Sequence, residues 1–171
     1  MRRAFRIVSG GQTGVDRAAL DVARELGIAA AGWCPRGRRA EDGRIRRRYR
    51  LRETPSRDYA QRTEWNVRDS DATLIVSDRP LEGGTLLTAR LAARKGKAVL
   101  VVEPGKALRG GKFLAWLGRN RVRVLNVAGP RGSRHPGVYA QAKRVLAGLL
   151  RYAGNGNRIG LIAAHRADFS E

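Results

Sequence analysis

The sequence has one cysteine, no long apolar run and few aromatic residues, and each shortage excludes a class of protein. Cys34 is the only cysteine in 171 residues, so no disulfide can form within the chain. No stretch of 18 apolar residues occurs, and the sequence therefore predicts no membrane-spanning helix. Met1 to Arg3 lead straight into a predicted strand, without the apolar segment and small-residue cleavage site of a secretory signal. We therefore expect a cytoplasmic protein.

Acidic residues and lysines are scarce beside arginine. The chain carries 35 basic and 15 acidic residues, a formal net charge of +20, and only five of the basic residues are lysines. Such a charge favours anionic partners, so a basic nucleic-acid-binding module is one hypothesis. Three Trp, four Tyr and three Phe leave few rings for base stacking, which weighs against it. The one dense basic run, Arg44–Arg52, fits either a solvated loop or an anion-attracting segment.

Apolar segments alternate with helical patterns along the chain, and this alternation predicts the fold class. The predicted strands are Phe5–Ser9, Ala29–Trp33, Ala72–Val76, Ala98–Val102 and Val122–Val127. The predicted helices cover about Asp16–Leu26, Ser56–Arg68, Thr85–Arg94, Gly111–Asn120 and Val138–Tyr152. The pattern is typical of an α/β protein, a three-layer doubly wound Rossmann-like sandwich with a mainly parallel five-stranded sheet. We predict the strand order 2-1-3-4-5.

Two regions depart from the alternation. Pro35–Pro55 is a long charged connection without clear periodicity, and loops of that length are often functional or mobile. We expect residues 1–153 to form one ligand-binding domain. Residues 154–171 then form a C-terminal tail that is peripheral or poorly ordered, with a short docking segment as the alternative.

The glycine-rich turn Ser9–Asp16 follows the first predicted strand and opens the first predicted helix. Such a turn presents backbone N–H groups and a positive dipole end to an anion. Gly10, Gly11 and Gly14 let a ligand approach the backbone, and Gln12 and Thr13 add side-chain donors. The spacing matches neither the dinucleotide fingerprint nor the P-loop. The turn predicts a phosphate-binding loop, the alternative being a tight turn that binds nothing.

A second glycine turn, Gly83-Gly84-Thr85, follows the third predicted strand. In the order 2-1-3-4-5 the first and third strands are neighbours, so both turns would face one crevice at the carboxyl edge of the sheet. Arg38, with Arg36 and Arg39, follows the second strand and would close over an anion there. Cys34 is predicted to be a small, partly buried thiol without function, and a soft metal ligand is the alternative. The sequence leaves metal binding unknown.

These segments together resemble a known family, the molybdenum carrier (molybdenum cofactor carrier) proteins, related to the lysine-decarboxylase-like and YpsA-type superfamily. The matching segments are Ser9–Asp16, Gly32–Pro35, Ala40–Gly43, Arg62–Val67, Asp69–Thr73, Gly83–Thr85 and Leu125–Arg131. The resemblance implies a Rossmann-like fold and a homo-oligomer, a dimer or tetramer. It also implies binding of molybdenum cofactor, a molybdopterin that carries a phosphate, without catalytic residues.

An enzyme is the main competing hypothesis. Nucleoside-monophosphate phosphoribohydrolases resemble the chain at the second glycine turn, but they carry a glutamate where this sequence has Thr88. A hydroxyl cannot replace that carboxylate in base or cation-stabilising chemistry. We therefore predict a binding or carrier protein rather than an enzyme. Its ligand would be molybdenum cofactor or a related phosphorylated pterin or nucleotide-like molecule, held between the two glycine turns.

Overall fold

A parallel five-stranded sheet with helices packed against it forms the body of the molecule in the computed structural model, which describes residues 4–106 and 108–153. The strands of this sheet are β1 (Arg6–Val8), β2 (Ala29–Ala31), β7 (Ala72–Val76), β8 (Ala98–Val102) and β9 (Val124–Ala128). The short strands between them are β3 (Trp33–Cys34), β4 (Arg39–Ala40), β5 (Gly43–Arg44) and β6 (Arg52–Glu53). The helices are α1 (Val15–Glu25), α2 (Tyr59–Arg68), α3 (Gly83–Arg94), α4 (Gly110–Arg119) and α5 (Val138–Ala153).

The elements confirm the predicted α/β Rossmann-like class. α5 packs against α1 and α4, while α2 packs against α3, so the helices form two groups. The main core lies between the sheet and the first group, where Phe113, Leu117, Leu146 and Leu150 are completely buried. The predicted tail, residues 154–171, lies outside the described residues. In the described part of the chain, no helix has the length and apolar character needed to cross a bilayer.

The strand order differs from the prediction. The sheet runs β2-β1-β9-β7-β8, so the last strand lies at the centre, between β1 and β7, where the prediction placed it at an edge. Every residue of β9 and β7 is buried, whereas Val101 in β8 is 47% exposed, as expected of an edge strand. All three strands are close to continuous apolar runs in the sequence, so hydrophobicity alone could not identify the central one.

The observed order is a circular permutation of the Rossmann order. If β9 is moved to the start of the chain and the strands are renumbered, the sheet reads 3-2-1-4-5. The topological switch point then lies between β9 and β7. In doubly wound sheets, ligands bind in the crevice outside the carboxyl ends of the strands at this point.

The segment predicted as a long aperiodic loop is instead an ordered lobe. The second predicted strand is shorter than predicted and ends at Ala31. After it, β3 pairs in parallel with β6, while β4 and β5 form a hairpin. A small apolar cluster lies beneath these strands, formed by Leu20, Cys34, Ala40, Ile45, Tyr49 and Leu51. Arginines separate its members in the sequence and hide the apolar pattern.

Candidate ligand-binding crevice

A crevice opens at the carboxyl edge of the sheet, between the loops that follow β7 and β9. Its cavity volume is about 120 Å³. Ser77 to Thr85 form one wall, Ala128 to His135 form the opposite wall, and Gln12, Asp16 and Arg62 close the inner end. The crevice therefore lies at the switch point that the observed strand order defines, one strand away from the predicted position.

The second glycine turn lines the crevice. Gly83 and Gly84 are the first residues of α3, so their N–H groups have no acceptor within the helix. Thr85, 8% exposed, also lines the crevice. Gly83 has φ +50°, a conformation that favours glycine. The positive end of α3 therefore faces the crevice.

The first glycine turn is mostly engaged with the protein itself. Val15 donates its N–H to the carbonyl of Pro130 at 3.2 Å, so the start of α1 is already capped by the β9 loop. A Cβ added at Gly11 would lie 2.5 Å from the side chain of Leu51. The hydroxyl of Thr13 donates to Glu41 and accepts the N–H of Gly132 at 3.0 Å. These three positions hold loops together and do not line the crevice.

Gly14 and Gly10 are required by close approach of neighbouring groups. A Cβ at Gly14 would lie 2.4 Å from the carbonyl oxygen of Pro130, and Gly14 has φ +78°. A Cβ at Gly10 would collide with the guanidinium of Arg62, which therefore occupies the space over that glycine. Gly10 lines a small cavity beside the main crevice, not the crevice itself.

Like Asp16, Gln12 belongs to the first turn and lines the crevice. Its side-chain oxygen accepts the N–H groups of Thr13 and Glu41, both at 3.0 Å, which directs the amide nitrogen away from them. Gln12 is 5% exposed, and its Nε2 has no hydrogen-bond partner among residues 4–106 and 108–153. A buried donor without an acceptor is costly, so this atom indicates a missing acceptor.

Arg62 and Asp16 form a buried ion pair beside Gln12. Arg62 Nη1 donates to Asp16 Oδ2 at 2.8 Å, and the two side chains are 14% and 6% exposed. Asp16 Oδ2 also accepts the N–H of Gln12 at 3.3 Å, so Asp16 orders the turn. Arg62 Nε, like Gln12 Nε2, lacks a partner in the described part of the chain. Both residues line the inner end of the crevice, so two buried donors without acceptors lie beside it.

The loop after β9 supplies residues that sequence reasoning missed. His135 is 4% exposed, and its Nε2 lies 2.7 Å from Asp78 Oδ1, joining the two walls. This hydrogen bond lowers the pKa of Asp78. Arg131 and Arg134 add positive charge to the same wall. The motif Gly129-Pro130-Arg131 could have indicated that this loop belongs to the crevice. The predicted strand order, however, placed β9 at the far edge of the sheet.

Arg38 does not lie in the crevice, contrary to its predicted role. It is 8% exposed, and its guanidinium donates to the main-chain carbonyls of Ile45, Arg46, Tyr49 and Leu51 at 2.9 to 3.0 Å. Its donors are therefore used inside the lobe of residues 33–55. Arg38 acts as the centre around which this lobe folds.

Glu41 connects that lobe to the crevice wall. Its carboxylate accepts hydrogen bonds from Thr13 and from the N–H and hydroxyl of Ser133. Burial alone would raise the pKa of Glu41, but the bonds from Ser133 and Thr13 outweigh burial and lower it. The lobe thereby fixes the position of the β9 loop.

Two further predictions from the sequence concern Cys34 and Thr88. Cys34 is completely buried in the apolar cluster, and burial raises the pKa of its thiol. Within the described ranges, no three His, Cys, Asp or Glu side chains gather as a metal site would require. Thr88 is 4% exposed in the crevice wall, and its hydroxyl donates to the carbonyl of Gly84 at 2.8 Å. No carboxylate occupies that position.

Comparison with known proteins confirms the resemblance inferred from the motifs. No curated protein matches the chain. A crystal structure described as "Putative molybdenum carrier protein", from Syntrophus aciditrophicus SB, is similar with a TM-score of 0.80 and 41% sequence identity. The match covers 86% of this chain and 96% of that one. Residues 7–150 match the model of a family whose description names the permutation seen in the sheet. The chain belongs to the circularly permutated YpsA SLOG family.

Proposed function

We propose that the crevice binds a phosphorylated ligand and that the protein is a carrier or binding protein. The observation that carries this proposal is the pair of buried donors without acceptors, Gln12 Nε2 and Arg62 Nε, at the inner end of the crevice. An anionic ligand would supply the missing acceptors. It would also meet the start of α3 and the positive charge of Arg131 and Arg134.

The nine residues predicted to bind the ligand divide into two groups. We propose direct contact for Gln12, Gly83, Gly84 and Thr85, which line the crevice. The other five act through the scaffold: Gly10, Gly11, Thr13, Gly14 and Arg38. The glycine turn after β1 is thus the support of the crevice floor, and the turn after β7 is the phosphate-binding loop.

The donor set suits the phosphate of molybdopterin, and the name of the similar crystal structure supports molybdenum cofactor as the ligand. We propose that the cofactor is cargo, bound reversibly and released intact. Thr88 supports binding over cleavage, because its hydroxyl cannot perform the work of a glutamate in a nucleoside-monophosphate hydrolase. A phosphorylated pterin or a mononucleotide would use the same donors.

Native mass spectrometry of the protein as isolated tests the proposal by giving the mass of the retained ligand.

The variant Gln12→Glu keeps the oxygen that accepts from Thr13 and Glu41 but replaces the free donor with a negative oxygen. We expect the dissociation constant for the retained ligand, measured by calorimetry, to rise about tenfold or more, since a hydrogen bond to a charged group contributes about 1.5–3 kcal/mol.

Gln141→Glu provides the matched control, because Gln141 also has a buried amide atom without a partner in the described residues, but lies in a different groove. The Gln141→Glu variant should bind the retained ligand as tightly as the unchanged protein does. Equal weakening in both variants, or no retained or added ligand in any sample, would contradict the proposed site. Release of free adenine from AMP would instead favour the enzyme.

We also propose a homo-oligomer, formed through the edge of the sheet at β8. Ala98 and Leu100 pack toward the main core, whereas Val101 is 47% exposed at the open edge. Leu87 and Leu91 of α3 are only half-buried nearby. Val101→Lys should shift the native mass spectrum toward monomer, while Leu26→Lys, an exposed leucine at the end of α1, should leave the spectrum unchanged. If the unchanged protein is a monomer, the proposal of a homo-oligomer is wrong.

A further inference from the structure

The surface of the lobe carries five arginines whose positive charge is not balanced by ion pairs with carboxylates of the described residues. The arginine surface comprises Arg44, Arg46, Arg47, Arg50 and Arg52, all of them exposed. Among residues 4–106 and 108–153, none of the five lies within ion-pair distance of a carboxylate; Arg48 alone in this run pairs, with Asp21 at 3.7 Å. We propose that this surface binds the phosphate backbone of a nucleic-acid strand.

The lobe holds these arginines on a compact and rigid backbone. The carbonyl oxygens of Ile45, Arg46, Tyr49 and Leu51 all lie within 3.0 Å of the Arg38 guanidinium nitrogens, so the segment wraps around one side chain. The side chains of the three apolar members of this set are buried. The arginines between them must therefore point outward, and little backbone order would be lost on binding.

The neighbouring carboxylates are already engaged elsewhere. Asp42 accepts two hydrogen bonds from Arg17, both at 3.0 Å, and Glu53 accepts the N–H of Gly37. Glu41 is bound to Ser133 and Thr13 across the crevice wall. The charge of the arginine surface is thus left for an external anion.

The chemistry of the surface favours nucleic acid over a protein or a membrane. Protein interfaces have an apolar centre, and membrane-binding segments insert apolar side chains. Here Ile45, Tyr49 and Leu51 face inward, and the large exposed apolar residues of the described chain lie elsewhere, at Leu26, Val101, Tyr139 and Tyr152. A polyanion with regularly spaced phosphates needs only an array of cations.

The mode of binding follows from the aromatic rings. Tyr49 is buried beneath Arg48, and Arg52 lies over the ring of Trp33 at 5.9 Å, so arginines of the same run already cover a face of each ring. Base stacking is therefore minor, and binding is independent of sequence and strongly dependent on salt. With five phosphate contacts to a single strand, the logarithm of affinity should fall with that of salt concentration with a slope of about −3.5.

Fluorescence anisotropy with a labelled single-stranded oligonucleotide, titrated at several salt concentrations, tests the inference. One variant changes Arg44, Arg46, Arg47 and Arg50 to glutamine. The matched control changes Arg90, Arg94, Lys95 and Arg119 to glutamine, which removes the same charge from α3 and α4. We expect the first variant to lose at least tenfold in affinity and about three units of salt slope, and the control to lose far less.

Equal losses in the two variants would show attraction by net charge alone and overturn the inference. Equally tight binding of polyglutamate, or of vesicles rich in phosphatidylserine, would overturn nucleic acid as the partner. Gln12→Glu should bind the oligonucleotide normally, so the failure of the crevice proposal and the failure of this one are distinguishable. Circular dichroism and urea unfolding check that the arginine variant is folded, independently of the crevice ligand.

Discussion

Gly14→Ala should lower the free energy of unfolding by about 3 kcal/mol, since the backbone at φ +78° and ψ −129° is strained for any residue with a Cβ, and this strain and overpacking each cost roughly 1–3 kcal/mol. The new methyl group would lie 2.4 Å from the carbonyl oxygen of Pro130 and 3.0 Å from the nitrogen of Gly132. Both neighbours are backbone atoms of the β9 loop and cannot rotate away. Urea unfolding at a fixed protein concentration measures the change.

Gly37→Ala separates the clash from the backbone strain. Gly37 has φ +81°, close to the +78° of Gly14, but nothing lies within 4 Å of its added Cβ. The expected cost is about 1 kcal/mol, the strain contribution alone. If the two variants lose equal stability, the close approach to Pro130 is not what requires glycine at position 14. The first glycine turn would then be free to serve the ligand directly.

Arg62→Met should destabilise the fold by about 3–5 kcal/mol, because it leaves the Asp16 carboxylate buried without its cation. Asp16 is 6% exposed as a side chain, and the remaining donor to its Oδ2 is the N–H of Gln12 at 3.3 Å. The double variant Asp16→Asn/Arg62→Met removes the unpaired charge. It should recover about 1–2 kcal/mol relative to Arg62→Met.

Urea unfolding of the two single variants and the double variant completes the cycle. A loss below about 1 kcal/mol for Arg62→Met would indicate that water reaches Asp16 and that the pair behaves as a surface ion pair. Ligand affinity measured on the same samples adds a second readout. Arg62→Met should weaken phosphate binding even after correction for the unfolded fraction, since it also removes the free Nε donor.

Much of the fold could be predicted from the sequence because strand and helix periods are local. Two strands, Ala72–Val76 and Ala98–Val102, have the predicted bounds, and the five helices lie where their patterns do. Strand order is not local. β9 pairs with both β1 and β7 across long separations, and nothing in its own apolar run distinguishes a centre from an edge.

The site was predicted in part for the same reason. Gly83, Gly84 and Thr85 belong to a strand–turn–helix junction that can be recognised within a few residues. Arg38 could not be assigned correctly, because its role depends on four carbonyls contributed by a loop without regular pattern. His135 could not be predicted, because its contact with Asp78 depends on β9 lying beside β7.

The central position of β9 also imposes an order of events on synthesis. Ser9 and Val127 share a hydrogen bond across 118 residues, and the β1–β2 and β7–β8 pairs cannot become one sheet until the ribosome has released β9. Until then both pairs have an unfilled inner edge, the kind of edge that recruits other chains. A chain stopped before Val124 would retain two such edges permanently. This permuted chain therefore depends on its final strand to close the sheet as well as to build the crevice.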